Sequence, residues 1–399
     1  MRARSAAVNF GLSLLVMAMT LLVMEGVARV MRGAQGKGKE QNEFAQYQVP
    51  DPVLGWRNKP NARVMFRRRE YAVELRTNSH GQRDGERSYE GSAFRVLALG
   101  DSFPEAYSVP LAQSVTQLLE RRLTSPACPA EVINCGVAGY STDQEYLLYR
   151  LEGVRYHPQI VVLFFCYNDV LATISSLQYG RPKPVLDFRP MHPLVANQPV
   201  PTPAPPPPAA ADGRPARSGS ALWLWTKERL QRRPALYNGL ARLGLFRPIR
   251  TAYPPREFSL YYRVAPPEVD RAWGQVDRIL GALVQETAAQ GTRFVVAYVP
   301  NRFEVSDRDL EVTRVWYGLD EASWGRAPVL RRLQAIGTAR GFPVLDLTPA
   351  LRRAEGPLRS PYYEYDGHWN ALGHRVAADA IAEWLSTQGW LLRCVRPRG

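Results

Sequence analysis

Apolar runs of strand length alternate with apolar positions at helical spacing over most of the chain after residue 93. Five runs have the length of strands: Val96–Leu99, Val132–Asn134, Ile160–Phe165, Phe294–Val299 and Val344–Leu345. The third run is apolar throughout, which is typical of a strand buried on both faces. Repeated strand–helix units predict an α/β fold, with a mostly parallel sheet covered by helices.

Apolar residues three and four positions apart predict the helices between these strands. The first is expected to begin at Pro110, with its apolar face running from Leu111 to Leu123. Thr142 and Glu145 have the spacing of a capping box at the start of the next helix. Three further helices are predicted, over residues 273–284, 329–336 and 376–385.

The N-terminal segment is apolar enough to cross a bilayer. Residues 6–24 carry no charge, close to the roughly 20 residues that a membrane span needs. No convincing cleavage site follows, so we expect a short tail (1–5), an uncleaved transmembrane anchor (6–28) and a juxtamembrane tether (29–49). More Lys and Arg residues follow the anchor than precede it, and this count alone favours a cytoplasmic body.

The remaining chain divides by pattern into four parts. Short alternating runs over residues 50–92 predict a small β-rich module. The α/β domain occupies 93–180 and 265–399, and an insertion over 181–264 interrupts it. The proline-rich start of this insertion is expected to be a linker or a polyproline docking segment. The Trp- and Arg-rich stretch after it predicts a helix, which either lies on a membrane surface or packs as a lid.

The amino-acid composition of the chain restricts the kinds of ligand and partner that the protein can bind. The formal net charge is +14, which reflects either arginines spread over the surface or a site for an acidic polysaccharide or an anionic lipid. The chain has no zinc-ligand spacing and no RNA-binding signature, so we expect no metal, no cofactor and no nucleic-acid partner. Cys135 and Cys166 end apolar runs and are expected to be buried. Cys128 and Cys394 can pair in an oxidising compartment, and the sequence leaves this open.

Three chemistry-bearing segments directly follow predicted strands: Gly100–Asp101–Ser102, Gly136–Ser141 and Asn168–Asp169. Because the carboxyl ends of parallel strands meet at one edge of a sheet, one cleft can collect all three. A serine nucleophile needs a base and a group that orients the base. Of the five histidines, His368 alone has a telling context, with Asp366 two residues before it in a loop that enters a helix. The alternative is a surface loop in which Asp366 and Gly367 form a turn and the His368 side chain is merely solvated.

These segments resemble the four blocks of the SGNH, or GDSL-type, hydrolases, a family of esterases and lipases. The resemblance covers residues 93–180 and 265–390 and implies a flavodoxin-like fold in three layers. It implies that Ser102 is the nucleophile, His368 the base and Asp366 the group that orients the base. The oxyanion hole is then formed by Ser102, Gly139 and Asn168, and Asp101 holds the turn.

Two positions depart from the family pattern. Cys166 stands where the third block usually has glycine, and the last block is Asp–x–His rather than Asp–x–x–His. Asp366–Gly367–His368–Trp369 resembles the signature of alginate-type polysaccharide O-acetyltransferases, which are membrane-associated and exported. That resemblance implies a periplasmic or otherwise extracytoplasmic domain, in conflict with the charge count.

Three hypotheses for function follow. The first is a membrane-anchored serine esterase that hydrolyses acyl esters of a carbohydrate or lipid through an acyl-enzyme. The second is an O-acyltransferase that passes the acyl group to an envelope or exported polysaccharide. The third is a binding module that keeps the fold without catalysis, which would require Ser102, His368 and Asp366 to be misassembled.

Overall fold

The computed structural model describes most of the chain as two compact units. The described residues are 2–34, 43–188, 193–202, 220–231, 233–243, 254–326 and 328–391. One unit combines residues 1–41 with 205–252, and the other contains 42–204 and 253–399. The pairing of Cys128 with Cys394, which the sequence leaves open, involves a residue outside the described ranges. Most of the proline-rich stretch and the centre of the tether also lie outside them.

Thirteen strands and fourteen α-helices are assigned within the described residues. The strands are β1 (Gln48–Asp51), β2 (Gly55–Asn58), β3 (Arg63–Arg67), β4 (Ala72–Arg76), β5 (Phe94–Gly100), β6 (Ala130–Gly136), β7 (Ile160–Phe165), β8 (Leu177–Gln178), β9 (Arg181–Pro182), β10 (Leu186–Asp187), β11 (Leu194–Val195), β12 (Arg293–Tyr298) and β13 (Val344–Asp346). The helices are α1 (Arg2–Ala34), α2 (Glu43–Tyr47), α3 (Ser102–Glu105), α4 (Val115–Leu123), α5 (Thr142–Leu151), α6 (Asn168–Ala172), α7 (Ala221–Gln231), α8 (Pro234–Arg242), α9 (Pro267–Ala289), α10 (Arg302–Val305), α11 (Asp307–Tyr317), α12 (Pro328–Arg340), α13 (Thr348–Ala354) and α14 (Ala371–Thr387).

Five parallel strands form the central sheet, in the order β13–β12–β7–β5–β6. Gly100 at the end of β5 is paired with Gly136 of β6 and with Phe164 of β7. The strands that precede the predicted site segments are therefore neighbours, and their carboxyl ends lie side by side. The sheet confirms the predicted α/β fold.

Alternate side chains of the strands enter two separate cores, because successive residues of a strand point to opposite faces. Leu97 and Leu99 of β5 pack with α5, α9 and α12 on one face. Val96 and Ala98 pack with α4, α13 and α14 on the other. The sheet is thus the middle of three layers.

Two helix starts differ from the sequence-based expectation. Residues Leu111–Gln113 form a 3₁₀ turn, and α4 begins at Val115, where the Ser114 hydroxyl accepts the N–H of Gln117. Ser114 is a better N-cap than proline because its side chain satisfies a free N–H group. The predicted capping box of α5 is absent, since both carboxylate oxygens of Glu145 are buried without a hydrogen-bond partner among the described residues.

Residues 43–76 form two antiparallel hairpins and a short helix that pack on the α/β domain. β1 pairs with β2, and β3 pairs with β4. Tyr47, Phe66 and Leu75 share a third apolar cluster with Tyr107 and Ala138 of the α/β domain. The small module thereby contacts the chain just after Ser102 and just before Gly139.

In the other unit, α1 contains one segment that is long and apolar enough to cross a membrane. This segment, Leu12–Val30, has a mean hydropathy of 1.7 and is 6% buried. A helix of this kind near the N-terminus is either a membrane span or a signal sequence. The Glu25 carboxylate accepts hydrogen bonds from the Ser220 hydroxyl and the N–H groups of Ala221 and Leu222, and so caps α7.

Candidate active site

Ser102 is presented by a tight turn at the end of β5. Gly100 has φ +149°, and a Cβ there would lie 2.7 Å from Pro104 Cγ and 2.9 Å from Phe164 Cβ, so no larger residue fits. The Asp101 carboxylate caps α3 by accepting the N–H of Phe103 at 3.0 Å. These two constraints fix Ser102 as the first residue of α3, at the carboxyl edge of the sheet.

The structure brings Ser102, His368 and Asp366 into one chain of hydrogen bonds. Ser102 Oγ lies 2.7 Å from His368 Nε2, and His368 Nδ1 contacts Asp366 Oδ1 directly. Gly367, between the two, has φ +82°, a left-handed conformation that lets the aspartate fold back onto the ring. Because the carboxylate accepts the Nδ1 proton, Nε2 is left to accept the proton of the serine hydroxyl.

Burial alone would raise the pKa of Asp366, but hydrogen bonds from His368 and Tyr71, with the charge of His368, lower it. Asp366 is therefore ionised at neutral pH. An ionised carboxylate beside Nδ1 stabilises the imidazolium that forms when His368 takes a proton.

Two residues of the small module hold the loop that carries this pair, and the sequence analysis missed both. The Tyr71 hydroxyl donates to Asp366 Oδ2 at 2.8 Å. The Glu70 carboxylate accepts the N–H groups of three consecutive residues, Glu364, Tyr365 and Asp366, at 2.6, 2.7 and 3.1 Å. Both lie about 295 positions away from their partners, so no local pattern could reveal them.

The loop of Gly139 is fixed from beneath. Glu105, the last residue of α3, accepts the N–H of Ala138 at 3.0 Å, and burial raises its pKa to about 7. The Ala138 carbonyl accepts hydrogen bonds from the side chains of Gln48 and Trp56, both at 3.3 Å. Gly139 follows with φ +84°, where a side chain would be strained. The helix that begins at Ser102 thus also anchors the loop of Gly139.

Asn168 is held beside the serine turn by Asp101. Its Nδ2 donates to Asp101 Oδ2 at 3.1 Å, while Asp101 Oδ1 caps α3. Cys166 is buried, its N–H donates to Asp169 at 2.6 Å, and its Sγ lies 3.8 Å from Asp101. The cysteine that replaces the usual glycine therefore turns its thiol inward.

Asp101, which binds Asn168, belongs to a cluster of buried carboxyl groups. Asp101, Asp143, Glu145 and Asp169 are all buried, and Lys183 pairs with Asp143 in the same region. Burial raises the pKa values of Asp101, Glu145 and Asp169. Neighbouring negative charges add to the effect of burial, because each carboxylate disfavours the charge on the next.

Comparison with known proteins identifies the family of the chain. The model of the GDSL-like Lipase/Acylhydrolase family matches residues 98–376, which is more than half of the chain. No curated protein matches the chain significantly.

Solved structures resembling the chain include three hydrolases. A lipase/acylhydrolase from Enterococcus faecalis is 13% identical, covering 74% of this chain and 97% of that one, with a TM-score of 0.37. An α/β hydrolase enzyme from the metagenome of Lake Arreo is 15% identical, with coverage of 77% and 99% and a TM-score of 0.38. An acetyl xylan esterase is 12% identical, with coverage of 73% and 100% and a TM-score of 0.37. The family match shows that this chain is an ester-hydrolysing enzyme of the GDSL-like lipase/acylhydrolase family.

Proposed function

We propose that the protein is a membrane-anchored serine esterase in which Ser102, His368 and Asp366 form the catalytic triad. The hydrogen-bonded chain from Ser102 Oγ through the imidazole to the Asp366 carboxylate is the observation that carries the proposal. An intact chain of this kind argues against a binding module without catalysis.

The reaction begins when Ser102 Oγ attacks the ester carbonyl carbon and its proton passes to His368 Nε2. The negative charge on the carbonyl oxygen is stabilised by the N–H groups of Ser102 and Gly139 and by Nδ2 of Asn168. When the intermediate collapses, the carbon–oxygen bond to the alcohol breaks and His368 gives its proton to the departing alcohol. An acyl group remains on Ser102. Water then attacks, losing a proton to His368, and the carboxylic acid is released as the proton returns to Ser102.

Replacement of the nucleophile tests the proposal. Ser102→Ala is expected to lower kcat for a short-chain activated ester by at least about a thousandfold, because no hydroxyl remains to form the acyl-enzyme. The measurement is hydrolysis by the purified full chain, with an acyl mass shift on Ser102 as a second readout. Ser88→Ala, an exposed serine before β5, is the matched control. Unchanged hydrolysis in Ser102→Ala would refute the esterase mechanism.

A second candidate function is O-acyl transfer to a glycan hydroxyl. The resemblance of Asp366–Gly367–His368–Trp369 to the alginate-type acetyltransferases favours it. The acyl-enzyme and the triad are the same, and only the final acceptor differs. Acyl-enzyme decay with and without added oligosaccharide separates the two functions: faster decay with acylated sugar as product supports transfer, and an unchanged rate with free acid as product supports hydrolysis.

We place the enzyme domain outside the cytoplasm, with α1 as a single membrane span. The apolar segment Leu12–Val30 and the same acetyltransferase resemblance support this placement, whereas the Lys and Arg count opposes it. A C-terminal reporter that functions only in the cytoplasm tests the orientation. An active reporter would contradict the placement. Separately, we expect the mature protein to keep its N-terminus uncleaved.

A further inference from the structure

The guanidinium group of Arg181 lies against the loop of the proposed oxyanion hole. Arg181 begins β9, and β8 and β9 form a hairpin with Tyr179 and Gly180 at its turn. A Cβ on Gly139 would lie 2.9 Å from Arg181 Nη2 and 3.3 Å from Tyr179 Cδ2. The hairpin therefore places one cation and one aromatic ring directly beside Gly139.

The guanidinium is held in a fixed position. Its central carbon lies 3.8 Å from the centre of the Trp56 ring, and Nη1 donates to the Gln48 side-chain oxygen at 2.5 Å. Gln48 and Trp56 are the same residues that donate to the Ala138 carbonyl. The position of the charge is thus coupled to that of the Gly139 loop, and little side-chain entropy remains to be lost when a ligand binds.

The guanidinium of Arg181 makes no salt bridge within the described part of the chain; its nearest negative influence is the more distant charge of Glu105. Among those residues no carboxylate lies within 4 Å of the guanidinium, and its polar contacts are the Nη1 hydrogen bond to Gln48 and the Trp56 ring. Other partly buried arginines do have carboxylate partners: Arg68 pairs with Glu43 at 2.7 Å, and Arg87 pairs with Asp84 at 3.0 Å. Burial also lowers the pKa of Arg181, which marks its charge as poorly compensated.

We propose that Arg181 binds an anionic group, a carboxylate or a phosphate, on the ester substrate. A guanidinium suits both groups because its planar N–H donors match two oxygens at once. The adjoining Tyr179 ring, 67% exposed, offers an apolar surface to the part of the substrate that carries the charge. The net charge of +14 would draw such a substrate toward the protein. This inference rests on the proposed esterase function, because it places the anion next to the reacting carbonyl.

Matched esters test the inference. Phenyl acetate is neutral, 4-acetoxybenzoate carries a carboxylate and 4-acetoxyphenyl phosphate carries a phosphate on the alcohol side. On the acyl side, 4-nitrophenyl butyrate is compared with mono-4-nitrophenyl succinate. The quantity measured with the full chain is the ratio of kcat/KM for the charged ester to kcat/KM for its neutral counterpart.

Arg181→Gln is expected to lower this ratio at least about tenfold for one charged class, mainly through KM, because the lost interaction binds substrate and transition state alike. Arg181→Lys is expected to restore part of the ratio. Arg155→Gln is the control: it removes the same charge from an exposed arginine just before β7, at the opposite edge of the sheet, and should keep the ratio within about twofold.

Two failures are distinguishable. If Ser102→Ala keeps hydrolysing the neutral esters, the proposed function itself is wrong. If Ser102→Ala is inactive but Arg181→Gln and Arg155→Gln give the same ratios as the unmodified protein, the esterase stands and the anion site is wrong.

Discussion

Tyr71 and His368 hold Asp366 from opposite sides. Oδ1 faces the imidazole, and Oδ2 accepts the Tyr71 hydroxyl at 2.8 Å. The tyrosine does not touch the reacting atoms, so in the proposed mechanism it is a positioning residue. Its hydroxyl keeps the carboxylate turned toward Nδ1 and ionised, which is the state that stabilises the imidazolium.

Tyr71→Phe is expected to lower kcat about tenfold with little change in KM, because a hydrogen bond to a charged group contributes about 1.5–3 kcal/mol and the substrate site is untouched. The loss should be much smaller in an Asp366→Asn background, where the hydroxyl has no carboxylate to orient. A purely structural role would give the same loss in both backgrounds. Tyr146→Phe removes a similar tyrosine–carboxylate bond, to Glu286 at 2.6 Å, and serves as the control.

The residues that could be predicted from the sequence are those with local signals. Ser102 follows a glycine at a strand end, and Asp366 and His368 are two positions apart, so short motifs reveal both halves of the site. The partners Glu70, Tyr71 and Arg181 come from hairpins with no motif of their own. Their relation to the site exists only after folding, and a single sequence holds no signal for it.

Glu145 shows the opposite case, where a local signal is overridden. Its spacing from Thr142 matches a capping box, yet its carboxylate lies in the buried cluster near Asp169. At this residue, burial in the folded protein outweighs the hydrogen bonds that a capping box would provide. The spacing of a motif indicates what a local segment can do, and packing decides whether it does.

At the scale of elements, the strands were predictable and the helix starts less so. All five central strands lie where the apolar runs predicted, and the signal is clearest for β7, which is buried on both faces and apolar at every position. The start of α4 shifted to Val115 since the proline at position 110 leads into a 3₁₀ turn and Ser114 supplies the cap. Apolar spacing alone does not distinguish these two kinds of turn.

The loop before His368 depends on the β3–β4 hairpin. Glu70, in the turn between these strands, accepts three N–H groups of residues 364–366. This arrangement is a carboxylate in a nest of backbone donors.

Glu70→Gln is expected to free this loop without unfolding the sheet. An amide has only one acceptor oxygen, so at least one N–H loses its partner, and the loss is about 1–2 kcal/mol. Hydrogen exchange at residues 364–366 should accelerate about tenfold, with a fall of several-fold in kcat. Glu90→Gln, an exposed glutamate before β5, is the control. Unchanged exchange at these three amides would contradict the anchoring role.

At the scale of the whole molecule, the small module packs on the α/β domain beside the proposed site. The module contributes Tyr47 and Asn58 to the buried Glu105, and Tyr71 to Asp366. Both loops that complete the proposed site therefore rest on it. The sequence predicted the module as a β-rich segment, but its role in the site follows from contacts between residues far apart in the chain.

His374 links two helices on one face of the sheet and makes stability depend on pH. It is buried on α14, and its Nδ1 accepts the N–H of Val115 on α4 at 3.3 Å. Burial, with the charges of Arg83 and His368, lowers the pKa of His374 from 6.5 to about 3. Below about pH 6.5 the unfolded chain takes up a proton at this residue and the folded chain does not, so stability falls as the pH falls.

The expected loss from this residue between about pH 7.5 and about pH 5 is about 2 kcal/mol of unfolding free energy. His374→Asn keeps an acceptor near the position of Nδ1 and cannot be protonated, so this part of the loss should disappear. Urea unfolding of both proteins at each pH, followed by tryptophan fluorescence, measures the difference.

Glu105 and Glu304 affect the pH dependence of stability with the opposite sign. Burial raises their pKa values to about 7 and about 8, so their folded forms bind protons more tightly. They are present in both proteins and cancel in the comparison. An equal pH dependence in the two proteins would contradict this role of His374.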